Sequence, residues 1–162
     1  MKRLILVRSG QIDPINGKLD RLGDELMNAL AERFRLLVGK ESILVFASPS
    51  ARQSAEVLKE KISNARLEEY EILSESHGWD FSELLKLVRS RADSIETIII
   101  VSHYDCINRF PVFFTKKEWG IPVHPEILSR GEARVMDCEK KMLFSISPQL
   151  SGKITEGSYR GM

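Results

Sequence analysis

The stretch "LILVRSGQ", residues 4 to 11, joins four apolar residues to a short polar motif. A continuous apolar run of this length is typical of a strand that is buried on both faces of a sheet. Arg8, Ser9 and Gly10 follow it directly, where the predicted strand ends. Ligands of open α/β sheets bind beyond the carboxyl ends of the strands, so the motif indicates an anion site at this point.

Further apolar segments predict the other strands of a sheet. A second buried strand is expected at residues 43–46, and "TIIIV", residues 97–101, gives the strongest strand signal in the chain. A short strand is predicted at residues 70–73. Two closing strands are predicted at residues 134–136 and 142–146.

Amphipathic segments between these strands predict four helices. The first is capped by Asp20, ends at Gly39, and carries an apolar stripe of Leu22, Leu26, Leu30, Phe34 and Leu37. The second opens with Ser48 as its cap and Pro49 at its first position, and its inner stripe is Ala55, Leu58 and Ile62. The third runs over residues 80–92. The fourth begins near Asp105, and Pro111 is expected to kink or break it.

This alternation predicts a three-layer α/β/α sandwich with a mostly parallel central sheet. The chain has 162 residues, enough for one domain with a full core. We expect that domain to cover residues 1–147. Residues 148–162 contain several serines and glycines and are predicted to form a loose tail.

Composition restricts the classes of function. The net charge is +1, so no bulk charge favours nucleic acid or a membrane surface, and any anion site must be local. No apolar run is long enough to span a bilayer or to serve as a signal peptide, so we expect a cytoplasmic protein. Cys106 and Cys138 are far apart and are interpreted as inert thiols. The sequence leaves the oligomeric state open.

Polar motifs also follow the second and third strong strands. Ser48 and Pro49 follow the second strand, and Arg52 stands one turn into the helix that they open. His103 and Tyr104 follow "TIIIVS". A single arginine after a strand is often only solvated. Together with Arg8, however, these residues place two arginines and a histidine at one edge of the predicted sheet.

These pieces resemble the histidine phosphatase superfamily, whose fold is called phosphoglycerate-mutase-like. The family opens with a strand followed by Arg-His-Gly, where this chain has Arg8-Ser9-Gly10. "LDRLG" at residues 19–23 is similar to the family's Leu-Thr-x-x-Gly, and "ASPSARQSAEVL" at residues 47–58 to its Ser-Pro-x-x-Arg segment. "IIIVSHYD" at residues 98–105 matches its later strand ending in Val-Ser-His. The length is closest to that of short bacterial phosphohistidine phosphatases.

The resemblance implies roles for individual residues. It implies that a phosphoryl group is held by Arg8, Gly10, Asn16, Arg52, His103 and the backbone N–H of Tyr104. Glu75 lies near the position of the family's general acid, although a loop carboxylate without a catalytic role is the alternative. The family chemistry requires no metal, and no metal-ligand cluster stands out, so no cofactor is expected.

The main departure from the family is at position 9, where Ser9 replaces the histidine nucleophile. Imidazole is a good nucleophile near neutral pH, whereas a serine hydroxyl needs a base to remove its proton. No base dedicated to Ser9 is evident. The sequence therefore predicts that phosphate binding is retained and covalent transfer is lost, with negligible turnover.

Three hypotheses follow for function. The first is a phosphatase-family protein that binds a phosphomonoester or phosphohistidine and is inactivated by Ser9, through engineering or as a variant. The second is a natural pseudophosphatase that acts as a phospho-ligand sensor or scaffold. An active enzyme with a changed mechanism is the third. The expected partner is a phosphorylated small molecule or a phosphorylated protein side chain.

Overall fold

A computed structural model describes residues 1–74 and 80–148. In this part of the chain, six strands form one sheet in the order β3-β2-β4-β1-β5-β6. The first three are β1 (Arg3–Arg8), β2 (Ile43–Ala47) and β3 (Ala65–Glu69), and the others are β4 (Thr97–Ser102), β5 (Ala133–Asp137) and β6 (Met142–Ile146). The four strands β1 to β4 are parallel, whereas β5 runs antiparallel to both β1 and β6.

Helices cover both faces of this sheet, which confirms the predicted three-layer sandwich. The four helices are α1 (Arg21–Val38), α2 (Arg52–Lys61), α3 (Phe81–Ala92) and α4 (Tyr104–Trp119). The first two pack on one face, against Ile5, Val7 and their neighbours, and the last two pack on the other, against Leu4 and Leu6. Successive residues of β1 therefore enter different cores, as its continuous apolar run predicted.

The strands predicted at residues 43–46, 97–101, 134–136 and 142–146 are all present. The strand predicted at residues 70–73 is wrong, because Glu71–Leu73 forms a short 3₁₀ turn and β3 ends at Glu69. β3 lies at the edge of the sheet and buries only Ala65 among its residues. An edge strand that is mostly solvated carries no apolar run, so hydrophobicity gave no signal for it.

Helix α1 has the predicted caps but a different buried face. The Asp20 side chain accepts a hydrogen bond from the Gly23 backbone N–H at 2.6 Å, and Gly39 ends the helix at φ 54°. Gly23 packs so closely on the Gln11 backbone that a Cβ there would lie 2.8 Å from the Gln11 nitrogen. This approach fixes the rotation of the helix. The face toward the sheet is therefore Gly23, Met27, Leu30, Ala31, Phe34 and Val38, while Leu22 is 47% exposed.

The other helix starts agree with the sequence in part. Ser48 accepts a hydrogen bond from the Ala51 backbone N–H at 3.2 Å, as its predicted cap role requires. Pro49 then opens one 3₁₀ turn, Pro49–Ala51, before α2 begins. Helix α4 runs through Pro111 and does not end there. In the described ranges, no helix is long and apolar enough to cross a membrane.

The rotation of α1 can be tested by two alanine substitutions. Met27 is 0% exposed and Leu22 is 47% exposed. Met27→Ala should lower the free energy of unfolding by about 2–5 kcal/mol, because it leaves a cavity in the core. Leu22→Ala should change it by about 0.5 kcal/mol, as is usual for surface positions. Urea midpoints at equal m-values measure both changes, and equal losses would contradict the observed face.

Candidate anion-binding site

The predicted ligand edge exists because β4 pairs with both β1 and β2. This pairing places Arg8 opposite Ser102 and Ala47 opposite Val101, so the three strands end side by side. A cavity of about 310 Å³ opens at the ends of β1 and β4. It is lined by Arg8, Ser9, Gly10, Ile12, Pro14, His103, Tyr104 and Arg130.

Arg8 is the last residue of β1 and points its side chain to one wall of the cavity. Its Nη1 donates a hydrogen bond to the Leu128 carbonyl at 2.8 Å, and its guanidinium carbon lies 5.0 Å from the centre of the Tyr104 ring. Burial, and then the charge of Arg130, lower its pKa below the ordinary value for arginine. Among the described residues, no carboxylate forms an ion pair with Arg8. Its positive charge therefore remains available to an anion.

Ser9 and Gly10 follow β1 directly and are held by hydrogen bonds from their backbone N–H groups. The Ser9 backbone N–H donates to the Ser102 carbonyl at 3.0 Å, and the residue is only 6% exposed. The Gly10 N–H donates to the Ser54 hydroxyl at 3.0 Å. A Cβ on Gly10 would lie 3.0 Å from the Gly23 carbonyl oxygen, so only glycine fits without a shift. Within the described ranges, the Ser9 hydroxyl has no hydrogen-bond partner, and no base therefore contacts it.

His103 occupies the position just before α4, and its side chain reaches toward the segment after β2. Its Nε2 lies 2.6 Å from the Ser50 hydroxyl and 3.4 Å from the Ser48 hydroxyl. The first N–H groups of a helix have no partners inside that helix. In the described structure, the His103 side chain caps none of those of α4. Because His103 and Tyr104 line the cavity, the positive end of the α4 dipole lies beside it.

Arg130 is a residue of the cavity that the sequence analysis missed. It lies in the turn before β5, which is antiparallel to β1. Because β5 is antiparallel to β1, the start of β5 lies at the same edge of the sheet as the end of β1, so this turn reaches the cavity. The sequence predicted the strand itself. Nothing in the sequence indicated that β5 runs antiparallel to β1 or that it pairs with β1.

Arg52 is held outside this cavity. Its Nε donates to a Glu56 carboxylate oxygen at 2.9 Å, and its Nη1 lies 3.7 Å from a Glu69 oxygen. The hydrogen bond and charge of Glu56, followed by the charge of Glu69, raise its pKa. Its side chain is 58% exposed and is not among the cavity residues. The structure therefore does not bring Arg52 together with Arg8 and His103.

Two further predicted residues are not part of the described cavity. Asn16 is exposed, and its Oδ1 accepts a hydrogen bond from the Lys18 backbone N–H at 2.9 Å, which closes a local turn. Glu75 lies outside the described residues, as do residues 149–162 of the predicted tail. The structure thus brings together Arg8, Ser9, Gly10, His103 and Tyr104 from the predicted set.

Neither thiol supplies a nucleophile near neutral pH. Burial raises the pKa of the Cys106 thiol to about 12 and that of Cys138 to about 11. Thiolate is the reactive form, so both cysteines are protonated and inert at pH 7. In the residues that the structure describes, no group of three or more His, Cys, Asp or Glu side chains could hold a metal ion.

Comparison with known proteins establishes the fold. No protein-family model and no curated protein matches the sequence. Among solved structures, the SixA protein of Agrobacterium tumefaciens, named as a phosphohistidine phosphatase, is similar with a TM-score of 0.68 at 13% identity, over 91% of this chain and 99% of that one. The protein histidine phosphatase SixA in complex with tungstate gives 0.68 at 14%, over 90% and 97%.

A phosphoglycerate mutase of Plasmodium falciparum is similar with a TM-score of 0.55 at 14% identity, over 94% of this chain and 96% of that one. These three structures belong to the histidine phosphatase superfamily. Their likeness to this chain confirms the predicted phosphoglycerate-mutase-like fold.

Proposed function

Because the chain has the fold of the histidine phosphatase superfamily, we propose that its cavity binds the phosphoryl group of a phosphomonoester or phosphohistidine without transferring it to residue 9. The observation that supports this most is the environment of Arg8. It lies on the cavity without a carboxylate partner among the described residues, next to His103 and the start of α4. These three features all favour a bound anion.

Arg8 is oriented before any ligand arrives. Its contacts with the Leu128 carbonyl and the Tyr104 ring hold the guanidinium in one direction. Arginine carries five N–H donors, and the contact with Leu128 engages only one of its terminal nitrogens. The remaining donors form the planar fork that pairs with phosphate oxygens. A ligand then gains hydrogen bonds without first ordering this side chain.

The start of α4 supplies a second source of positive potential. Backbone N–H groups of the first helical turn can donate to phosphate oxygens, and the helix dipole favours negative charge there. His103 stands at the cavity with its Nε2 held by Ser50, so the ring has a fixed position. This arrangement supports the predicted contacts of His103 and of the Tyr104 N–H with phosphate.

With serine at position 9, the site can bind a phosphoryl group without accepting it covalently. A serine becomes a nucleophile only when a neighbouring base accepts its proton. The His103 Nε2 bonds Ser50 at 2.6 Å, and no described group hydrogen-bonds the Ser9 hydroxyl. Hence the site can hold a phosphoryl group but has no described means of forming a phosphoenzyme. An inactivated hydrolase and a natural pseudophosphatase that senses a phospho-ligand both have this chemistry.

Titration with inorganic phosphate tests the binding step. The protein should bind phosphate, with chemical-shift changes at Ser9, Gly10 and Tyr104 in amide NMR spectra. Arg8→Ala should weaken binding roughly 10- to 100-fold, because hydrogen bonds between charged groups contribute about 1.5–3 kcal/mol. Arg66→Ala, which removes an exposed arginine from β3, is the matched control for charge and should leave the affinity unchanged.

Thermal melts of each variant establish that it is folded. If Arg8→Lys and Arg8→Ala both bind phosphate as tightly as the parent protein, the cavity is not its site.

Restoring an imidazole at position 9 tests the chemical step. Ser9→His places a ring nitrogen at the mouth of the cavity, beside Arg8. Hydrolysis of an aryl phosphate should rise by several orders of magnitude, on the scale that other enzymes lose with their nucleophile. Acid-labile phosphate on residue 9 is the second readout. Equal turnover by the Ser9 protein would show that serine or another residue is the nucleophile.

A further inference from the structure

We infer that Arg130 is the second guanidinium that holds the bound phosphoryl group, in the role that the sequence motif suggested for Arg52. The inference rests on the proposed function of the cavity. Its structural basis is the turn at residues 128–132, which carries Arg130 to the wall beside Arg8.

This turn is attached to Arg8 by three hydrogen bonds. The Arg8 Nη1 donates to the Leu128 carbonyl at 2.8 Å. The Gly131 N–H donates to the Arg8 carbonyl at 3.0 Å, and the Arg8 N–H donates to the Glu132 carbonyl at 3.0 Å. The backbone on either side of Arg130 is therefore fixed to the residue that we place at the centre of the site.

The turn is also closed within itself. Gly131 adopts φ 76°, a left-handed conformation that favours glycine. The Glu132 side chain is 7% exposed and accepts hydrogen bonds from the Ser129 N–H and the Ser147 hydroxyl, each at 2.6 Å. Its two carboxylate oxygens therefore each accept a hydrogen bond. In the described structure, Glu132 forms no ion pair with Arg130.

Arg130 and Arg8 are two guanidinium groups on one cavity, and neither forms an ion pair among the described residues. Within residues 1–74 and 80–148, Arg130 makes no ion pair, and no carboxylate is found among the described cavity residues. Burial and then the charge of Arg130 lower the pKa of Arg8, and the charge of Glu132 opposes this in part. Like charges held close together are unfavourable in the empty site, and an anion between them removes the repulsion.

Arg52 differs on each of these points. It contacts two carboxylates, those of Glu56 and Glu69, and it lies outside the cavity. To reach a phosphate at Arg8 it would have to leave both partners. Arg130 needs no such exchange, since its side chain already lines the cavity without an acidic partner in the described structure.

The experiment compares three arginine-to-alanine variants of equal charge change in phosphate titrations. Arg130→Ala should raise the Kd for inorganic phosphate about tenfold or more. Arg52→Ala and the control Arg66→Ala should change it by less than about twofold. Arg130→Lys should recover only part of the affinity, because lysine lacks the planar fork. Arg130 is exposed, so thermal melts should show all these variants folded.

The outcomes separate this inference from the function on which it rests. If Arg8→Ala loses phosphate affinity and Arg130→Ala does not, the proposed function stands and the role of Arg130 is refuted. A loss at Arg52→Ala without one at Arg130→Ala would refute it as well and would favour the motif arginine. If Arg130→Lys binds as tightly as the parent protein, the planar fork of Arg130 is not needed, which refutes its role as a second guanidinium. If the parent protein binds no phosphate, both fail.

Discussion

Strand β1 is hydrogen-bonded to parallel β4 on one side and to antiparallel β5 on the other, and the candidate site depends on this position. The end of β1, the end of β4 and the start of β5 must therefore meet at one edge of the sheet. Arg8, His103 and Arg130 come from these three places and lie far apart in sequence. Strand order thus brings two arginines and a histidine together from three separate parts of the chain.

The cavity brings two arginines without ion pairs to one place. Several arginines elsewhere, such as Arg3 and Arg91, pair with glutamates at 2.5 and 2.8 Å. On the cavity, Arg8 and Arg130 have no acidic partner among the described residues. Phosphoryl transfer relies mainly on positioning and charge stabilisation. Under the proposed function, Ser9 therefore prevents covalent transfer, while Arg8 and His103 still bind the phosphoryl group.

The sequence predicted most of the fold because the central strands are buried on both faces of the sheet. Strands buried in this way consist of continuous apolar runs, which are easy to recognise. The sequence also predicted that the residues after β1 and β4 lie together at one edge of the sheet, because ligand sites of such sheets lie at strand ends. It misplaced β3, whose solvated edge position carries no such run. It also misjudged the inner face of α1, where the approach of Gly23 to Gln11 decides the rotation.

The arginines show a second reason why the site could be predicted only in part. Arg52 has the right sequence motif, yet Glu56 and Glu69 hold it outside the cavity. Glu56 lies in the same helix as Arg52, whereas Glu69 is the last residue of β3. Arg130 has no motif, and its position depends on the direction of β5. Contacts between residues distant in sequence determine both cases. The contribution of Glu75 remains a prediction, because that residue lies outside the described ranges.

The most direct measurement is a crystal structure of the protein with bound tungstate, which is an analogue of phosphate. Anomalous scattering from the tungsten atom locates the ion without ambiguity. Tungstate should lie in the cavity within hydrogen-bond distance of Arg8, Arg130 and the first N–H groups of α4. Tungstate bound at Arg52 with this cavity empty would contradict a phosphoryl-binding role for it.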